Sequence, residues 1–204
     1  MAVKLTKNEQ KKQKDSLKQF QRYLPTLQLK KQQLHMVIRQ IEAQAEALRA
    51  KQAQMVEGLN RWVAVFGENR ILPKDFSLES MVRIESLKQG RGNIAGVSIP
   101  VFEELVFKDI DYRCEDYPLW VDAAIRYLKE LSILDAQVAT LNRQCELLEK
   151  ELRTTSQRVN LFEKVKIPEA KENIRRIGIY LGDQQTSAVV RGKIAKKKLT
   201  GALA

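Results

Sequence analysis

The feature that most constrains the fold of this chain is a seven-residue repeat of apolar side chains. Between residues 17 and 66, one position of the repeat is always apolar, and the second is broken only by Lys31 and Gln52. Such a repeat keeps a narrow apolar stripe on one side of a helix that supercoils around a partner. The other positions are rich in Gln, Lys, Arg, Glu and Ala, which favour helix and tolerate water. The segment is therefore predicted to be a long helix with one buried edge.

The same repeat returns between residues 127 and 162, which supplies a partner helix within the chain. Two such helices can fold back on each other as an antiparallel pair. The seam positions selected as packing contacts are Leu27, Leu34, Ile41, Leu48 and Met55 in the first helix and Leu131, Val138, Leu148, Leu152 and Val159 in the second. The predicted fold class is mainly α: a long antiparallel two-helix coiled coil formed by the N- and C-terminal helices, with a small β-hairpin head in the middle of the chain.

Composition changes divide the chain into four predicted segments. Residues 1–66 form the N-terminal coiled-coil helix, residues 67–118 the head, residues 119–190 the C-terminal coiled-coil helix and residues 191–204 a basic tail. The first helix is expected to stop near Gly67. Within the head a β-hairpin is predicted at about residues 80–102, with Val82 and Ile84 on the first β-prone run and Gly90 and Gly92 in the turn before the second.

Two prolines interrupt the helical pattern. Pro25 removes one backbone donor and is expected to bend the first helix without ending it, because the repeat keeps its phase on both sides. Near Pro168 the seam slips by one residue, from Val159 to Ile167. A slip of this kind changes the supercoil locally.

The net charge of +11 comes entirely from the two ends of the chain. Residues 1–31 contain nine basic and two acidic side chains, and residues 191–204 contain five basic and no acidic ones. An antiparallel pair is expected to bring both ends to one basic tip, formed by Lys4, Lys7, Lys11, Lys12, Arg191, Lys193, Lys196, Lys197 and Lys198. Such a tip could bind nucleic-acid phosphates without sequence specificity or enter an acidic cavity in another protein. Composition leaves both interpretations open.

No pattern in the chain predicts bond chemistry. The glycine-rich stretch Gly90–Gly96 lacks the Lys-Ser/Thr ending of a phosphate-binding loop and lies between two β-prone runs. The single histidine, His35, has no nucleophile or ligand partner at a useful spacing. We therefore predict no catalytic, cofactor-binding or metal site and no enzymatic activity. The longest uncharged run, Gly92–Phe102, is too short to span a membrane, so a cytoplasmic protein without membrane insertion is expected.

Three stretches together resemble the D subunit of the V/A-type rotary ATPases, in its bacterial form: Tyr23–Leu34, Met81–Phe107 and Gln157–Ile177. The residues that match the family motif are Tyr23, Pro25, Arg158, Val159, Asn160, Ile167 and Pro168. One departure lies in the last turns, where this chain keeps the spaced lysines of the family but lacks its acidic and aromatic residues.

The resemblance implies a central rotor stalk that couples ATP hydrolysis or synthesis in a catalytic ring to the transport of ions, such as hydrogen ions, through a membrane rotor. The implied partners are the catalytic and non-catalytic ring subunits (A and B), the F subunit of the stalk and the socket subunit (C/d) of the membrane rotor, with no direct contact to nucleic acid. It further implies a location peripheral to the membrane and a hairpin that modulates ATP hydrolysis. The alternative is a basic coiled-coil scaffold or a non-specific nucleic-acid-binding protein.

Overall fold

The computed structural model describes residues 3–60, 81–110, 117, 118 and 120–201. In chain order its elements are helix α1 (Lys7–Asn60), strands β1 (Ile84–Ile94) and β2 (Val97–Phe107), helix α2 (Trp120–Leu161), a π-helix (Phe162–Lys166) and helix α3 (Ile167–Gly201). Long N- and C-terminal helices with one small antiparallel hairpin between them confirm the predicted fold class. The expected end of the first helix near Gly67 lies outside the described residues.

The chain divides into two compact units. One consists of Gln32–Leu152, and the other combines Met1–Lys31 with Arg153–Ala204. Each unit therefore takes one part of α1 and one part of α2.

The core of the Gln32–Leu152 unit is the seam between α1 and α2. Leu34, Ile38 and Ile41 from α1 form one buried cluster with Leu148 from α2 and Ile99 from β2. Burying a side chain of this size contributes about 1.5–3 kcal/mol. The remaining predicted seam positions of this unit are half-buried: Leu48, Met55, Leu131, Val138 and Leu152. The hairpin thus adds a third layer to the two-helix seam.

The hairpin turns at Ala95 and Gly96, and both residues have positive φ angles, 51° and 82°. Positive φ at both central residues matches the twist of the flanking strands in a two-residue turn. Asn93 supports the turn, because its Oδ1 accepts a hydrogen bond of 3.0 Å from the Gly96 N–H. The prediction that Gly90 and Gly92 lie in the turn is wrong, since both are inside β1.

The two glycines of β1 differ in how much room the neighbouring strand leaves for a side chain, and Gly92 has less of it. Gly92 pairs with Ile99, and a Cβ atom at Gly92 would lie 3.0 Å from Cγ2 of Val101. A Cβ atom at Gly90 would meet the carboxylate of Glu103. The carboxylate of Glu103 can move away, whereas Val101 and Ile99 are branched side chains of the paired strand, so Gly92 is the glycine that allows close approach of the strands.

The base of the hairpin is held by a second apolar cluster. Met81, Val121 and Ile125 are buried together, and the predicted hairpin residue Val82 packs against them. Ile84, the first residue of β1, is 57% exposed. Lys129 of α2 lies over the Phe107 ring, 5.6 Å from its centroid.

In the second unit the seam contains a five-residue step. The buried residues of this seam are Thr155, Val159, Ala170 and Ile177. Seam residues normally follow each other at intervals of three or four residues, but Phe162 and Ile167 are five residues apart. The π-helix spans this step, and the N–H of Ile167 donates to the carbonyl of Phe162, five residues earlier. A π-helix accommodates one extra residue in an α-helix. The predicted slip near Pro168 is therefore built into the backbone as a π-helix, while α1 continues through Pro25.

Candidate interaction sites

The N-terminal basic residues lie beside the first half of α3. Helix α1 begins after Thr6, whose Oγ1 accepts a 3.3 Å hydrogen bond from the Glu9 N–H as in a helix N-cap. Before this cap, Val3 and Leu5 line one surface groove together with Ile177 and Ile179. The predicted tip residues in this region are all exposed: Lys4, Lys7, Lys11 and Lys12.

Helix α3 continues well past the start of α1. A Cβ atom at Gly178 would lie 3.4 Å from Nε2 of Gln10, which places the first turns of α1 at this level. From Gly182 to Thr200 every residue of α3 is exposed. Four large apolar residues in this stretch, Val189, Val190, Ile194 and Leu199, are between 49% and 68% exposed. This part of α3 is a helix without a packing partner among the described residues.

The C-terminal basic residues lie on this unpaired part of α3 and do not join the N-terminal ones at a single tip. Lys196 follows Gly178 by eighteen residues, a rise of about 27 Å along a helix. The predicted single tip is therefore corrected to two basic surfaces, one beside the first half of α3 and one carried by Arg191, Lys193, Lys196, Lys197 and Lys198. The reason is that α3 extends beyond the N-terminal end of α1, and the residues before α1 pack against the first half of α3.

The two halves of α3 differ in how their positive charges are paired. Glu172 contacts both Arg175, at 2.8 Å, and Arg176, at 3.0 Å. Hydrogen bonds from Arg175 and Arg176 lower the pKa of Glu172 to about 2. No acidic residue follows Asp183 in the sequence, so the basic residues after Val190 have no acid on their own turn or the next. Their charge is left for a partner outside this helix.

The two chain segments that carry the family motif contact each other through two aromatic rings. The rings of Phe20 and Phe162 lie 5.2 Å apart. Around this contact the motif residues differ in exposure: Val159 is buried, Ile167 is half-buried, and Tyr23, Pro25, Arg158, Asn160 and Pro168 are exposed. On the C-terminal helix, the motif residues thus lie on both sides of Phe162 along the chain.

The contact between the hairpin and α2 includes two polar residues that the sequence patterns did not identify. Thr140 and Gln144 are 3% and 7% exposed. Nε2 of Gln144 donates to the Pro100 carbonyl at 2.5 Å, and Nε2 of Gln89 donates to Oγ1 of Thr140 at 3.4 Å. The two residues are one helical turn apart and lie beside the seam, and this spacing was the one sequence feature that could have indicated a contact. Thr and Gln at such positions usually face water, so the spacing alone did not predict one.

The described residues hold no group of three or more His, Cys, Asp or Glu side chains that could bind a metal ion. In the same part of the chain, no helix is long and apolar enough to cross a membrane. The arrangement there consists of packed helices, a docked hairpin and exposed basic surfaces, which suit contacts with other macromolecules.

These features define a class of helical binding proteins, and sequence comparisons identify the family. Residues 9–197 match the family described as the ATP synthase D subunit. The chain is 50% identical over 197 residues to the V-type ATP synthase D subunit of Borreliella burgdorferi, covering 97% of this chain and 95% of that protein. It is 36% identical over 200 residues to the protein of the same name from Chlamydia felis, covering 97% and 93%.

The chain therefore belongs to the family of ATP synthase D subunits, and it is a central stalk subunit of a V/A-type ATP synthase. The alternative of a coiled-coil scaffold or a nucleic-acid-binding protein is not favoured, because the similarity runs along almost the whole chain.

Proposed function

We propose that this subunit is the torque-transmitting shaft of the complex and performs no bond chemistry itself. Nucleotide-driven closure of successive ring subunits pushes on the helix pair and turns it, and the shaft turns the membrane rotor. Ion flow through the rotor runs the same sequence in reverse. The ring then synthesises ATP instead of hydrolysing it.

The observation that carries this proposal is the unpaired part of α3. A helix whose residues are exposed from Gly182 to Thr200 gains little stability from its own unit, since most helical stability in proteins comes from packing. Its five basic residues and its exposed apolar side chains are available to a surrounding surface. A ring of subunits around this helix provides such a surface, with electrostatic complementarity from acidic or polar walls.

The packed unit supplies the stiffness that a shaft requires. Leu34 and Leu148 are fully buried on opposite helices of the seam, and Ile99 of the hairpin closes the same cluster. Close-packed interiors resist deformation. Torque applied to one helix is therefore shared by its partner and by the hairpin.

The proposed partners follow from this arrangement and from the resemblance. The A and B subunits of the ring surround the C-terminal part of α3, while the F subunit of the stalk and the socket subunit (C/d) bind away from the ring. The hairpin modulates ATP hydrolysis, because its contacts with α2 link it directly to the shaft. The complex holds this subunit at the membrane periphery.

The proposal is tested by assembling the purified chain with the ring subunits and the F subunit and measuring ATP hydrolysis and ion coupling. Two variants distinguish the effect of the length of α3 from the effect of its positive charge. The first ends at residue 181, and the second replaces Arg191, Lys193, Lys196, Lys197 and Lys198 with Gln. The control replaces Lys7, Lys11 and Lys12 with Gln, which lowers the basic charge elsewhere in the same unit.

We expect the truncation to weaken coupling most, the five-residue variant to weaken it less, and the N-terminal control to retain the most. If the full chain fails to assemble and instead binds DNA or RNA in a salt-sensitive manner, the shaft proposal is wrong. Full coupling in the truncated variant would show that the unpaired helix is not the ring-contacting element.

A further inference from the structure

The hairpin contacts both long helices of its unit at once. Ile99 of β2 is 4% exposed and closes a cluster that contains Leu34, Ile38 and Ile41 of α1 and Leu148 of α2. Two hydrogen bonds hold the hairpin to α2. Nε2 of Gln89 donates to Oγ1 of Thr140 at 3.4 Å, and Nε2 of Gln144 donates to the Pro100 carbonyl at 2.5 Å. The position of the hairpin is therefore defined relative to each helix.

The two hydrogen bonds need groups that the heptad repeat does not supply one heptad further along α2. Seven residues after Thr140 and Gln144, the chain has Leu147 and Glu151. A leucine side chain cannot accept the amide proton of Gln89, and an ionised carboxylate has no proton to donate to a carbonyl. If α2 moved by one heptad while the hairpin stayed with α1, both hydrogen bonds would be lost.

The apolar cluster is equally specific on the side of α1. If the hairpin moved with α2 instead, the places of Leu34, Ile38 and Ile41 would be taken by Ile41, Ala45 and Leu48. Ala45 in the place of Ile38 would leave a cavity beside Ile99, and cavities in a packed core are destabilising. The hairpin therefore fits one alignment of the two helices.

The polar contacts between the helices tolerate the same shift. Nη2 of Arg49 donates to Oδ1 of Asn142 at 2.9 Å, and Nε2 of Gln52 donates to Oδ1 of Asp135 at 2.5 Å. After the shift, Glu149 would take the place of Asn142, and Asn142 the place of Asp135. Both replacements carry side-chain oxygens that accept hydrogen bonds. These contacts therefore do not select one alignment.

The apolar seam of α2 changes little in the same shift. The places of Leu131, Leu134, Val138, Leu141 and Cys145 would be taken by Val138, Leu141, Cys145, Leu148 and Leu152. All of these replacements are apolar. The place of Leu148, in the cluster that the hairpin closes, would receive the polar side chain of Thr155. The strongest discrimination between alignments therefore lies where the hairpin binds.

We propose that the hairpin is a register clamp. By binding residues that do not repeat every seven positions, it selects one alignment of α1 and α2 among those that the heptad repeat allows. Without the clamp, the helix pair also populates an alignment shifted by seven residues, or about 10 Å along the helix axis. The inference goes beyond the proposed function, because it concerns the alignment of the helices in the subunit alone.

The clamp is tested by measuring the distance between two spin labels, one on each helix, in the full-length subunit. Cys114 and Cys145 are replaced with Ala, and the labels are attached after Gln33→Cys on α1 and Arg126→Cys on α2, two positions that are exposed. Double electron–electron resonance resolves a change of about 10 Å, the displacement for seven helical residues. The parent protein is expected to give a single distance.

The first variant detaches the hairpin without changing either helix. Ile99→Asp places a charge in the apolar cluster, where its burial is strongly unfavourable. We expect a second distance, about 10 Å from the first. The matched control is Val101→Asp, the same change two residues later on the same strand, where the side chain is 39% exposed. The control is expected to keep the single distance.

The second variant acts on the hydrogen bonds and leaves the apolar cluster intact. Gln144→Glu places beside the Pro100 carbonyl the kind of side chain that Glu151 would bring after the shift. We expect the second distance in a smaller fraction of molecules than in Ile99→Asp, and this variant decides the question if Ile99→Asp does not fold. The proposal is overturned if neither variant shows a second distance, or if Val101→Asp shows the same one as Ile99→Asp.

Discussion

Two regions of this subunit are helical for different reasons. Around Leu34 and Leu148, helices α1 and α2 bury their apolar seam and carry the hairpin on top of it. Between Gly182 and Thr200, α3 has the same backbone form, but every residue is exposed. The first region is stabilised by packing, and the second only by the helix propensity of its residues. A segment of this chain can therefore be helical without adding to the stability of the packed core.

The largest expected difference between the two regions comes from truncating a leucine in each. Leu148→Ala removes a fully buried side chain and should lower the free energy of unfolding by about 2–5 kcal/mol. Leu199→Ala changes a residue that is 68% exposed and should alter it by no more than about 0.5 kcal/mol. Urea denaturation followed by circular dichroism measures both. Equal losses in the two variants would contradict the comparison.

A methyl group added to the packed region should also destabilise it. Gly92→Ala places a Cβ atom 3.0 Å from Cγ2 of Val101 and 3.3 Å from Cγ1 of Ile99. Overpacking of this kind costs about 1–3 kcal/mol, and the same denaturation experiment measures it. An unchanged free energy of unfolding would show that the strands shift without cost and that Gly92 is not needed for close approach.

The polar contact between the hairpin and α2 should have a smaller but specific effect. Gln144→Ala removes the donor to the Pro100 carbonyl and should cost about 1 kcal/mol, because a part-buried hydrogen bond is lost. Proteolysis within the hairpin should become faster in the same variant. The control is Gln184→Ala, on the exposed part of α3, which should leave both measurements unchanged. A hairpin equally resistant in both variants would count against a docking role for Gln144.

A methyl group added to the unpaired region should stabilise the helix instead of destabilising the fold. Nothing lies within 4 Å of a Cβ atom at Gly192, and Ala favours a helix interior over Gly by about 1 kcal/mol. Gly192→Ala should therefore raise the helix content of residues 183–200, measured by NMR chemical shifts, without changing the global unfolding midpoint. A lower helix content would mean that this segment is not stabilised by propensity.

The smallest expected effect is the pH dependence of the Glu172 cluster. The pKa of Glu172 is lowered from 4.5 to about 2 by Arg175 and Arg176. Because the folded-state pKa is below the unfolded one, the contribution to stability is present above about pH 4.5 and is lost as pH falls toward 2. NMR titration of the Glu172 carboxyl measures this directly. A midpoint near 4.5 would show that the ion cluster does not persist in water.

The heptad repeat predicted the helices and their buried edge, but it could not predict how they are aligned. A repeat of seven is unchanged when one helix slides by seven residues past the other, so the pattern alone does not decide which residues face each other. For this reason the repeat identified Leu34 and Leu148 as seam residues but did not show that α3 extends beyond the N-terminal end of α1. The expected single basic tip depended on that alignment.

The hairpin shows a second limit of sequence patterns. Gly90 and Gly92 suggested a turn because glycine is common there, whereas both lie inside β1 and Gly92 allows close approach of the strands. The actual turn contains Ala95 at a φ of 51°, a conformation that alanine rarely adopts and that no local pattern indicates. Thr140 and Gln144 were missed because their contacts with the hairpin, from Gln89 and to the Pro100 carbonyl, involve residues that are distant in sequence.

The most direct test of the account is hydrogen–deuterium exchange of this subunit, alone and assembled with the catalytic ring. The account predicts that residues 182–200 exchange rapidly in the isolated subunit and become strongly protected in the complex, while residues 34–48 are protected in both. If residues 182–200 remain unprotected after assembly, the ring does not enclose them. That result would contradict the central claim that the ring packs around this part of α3.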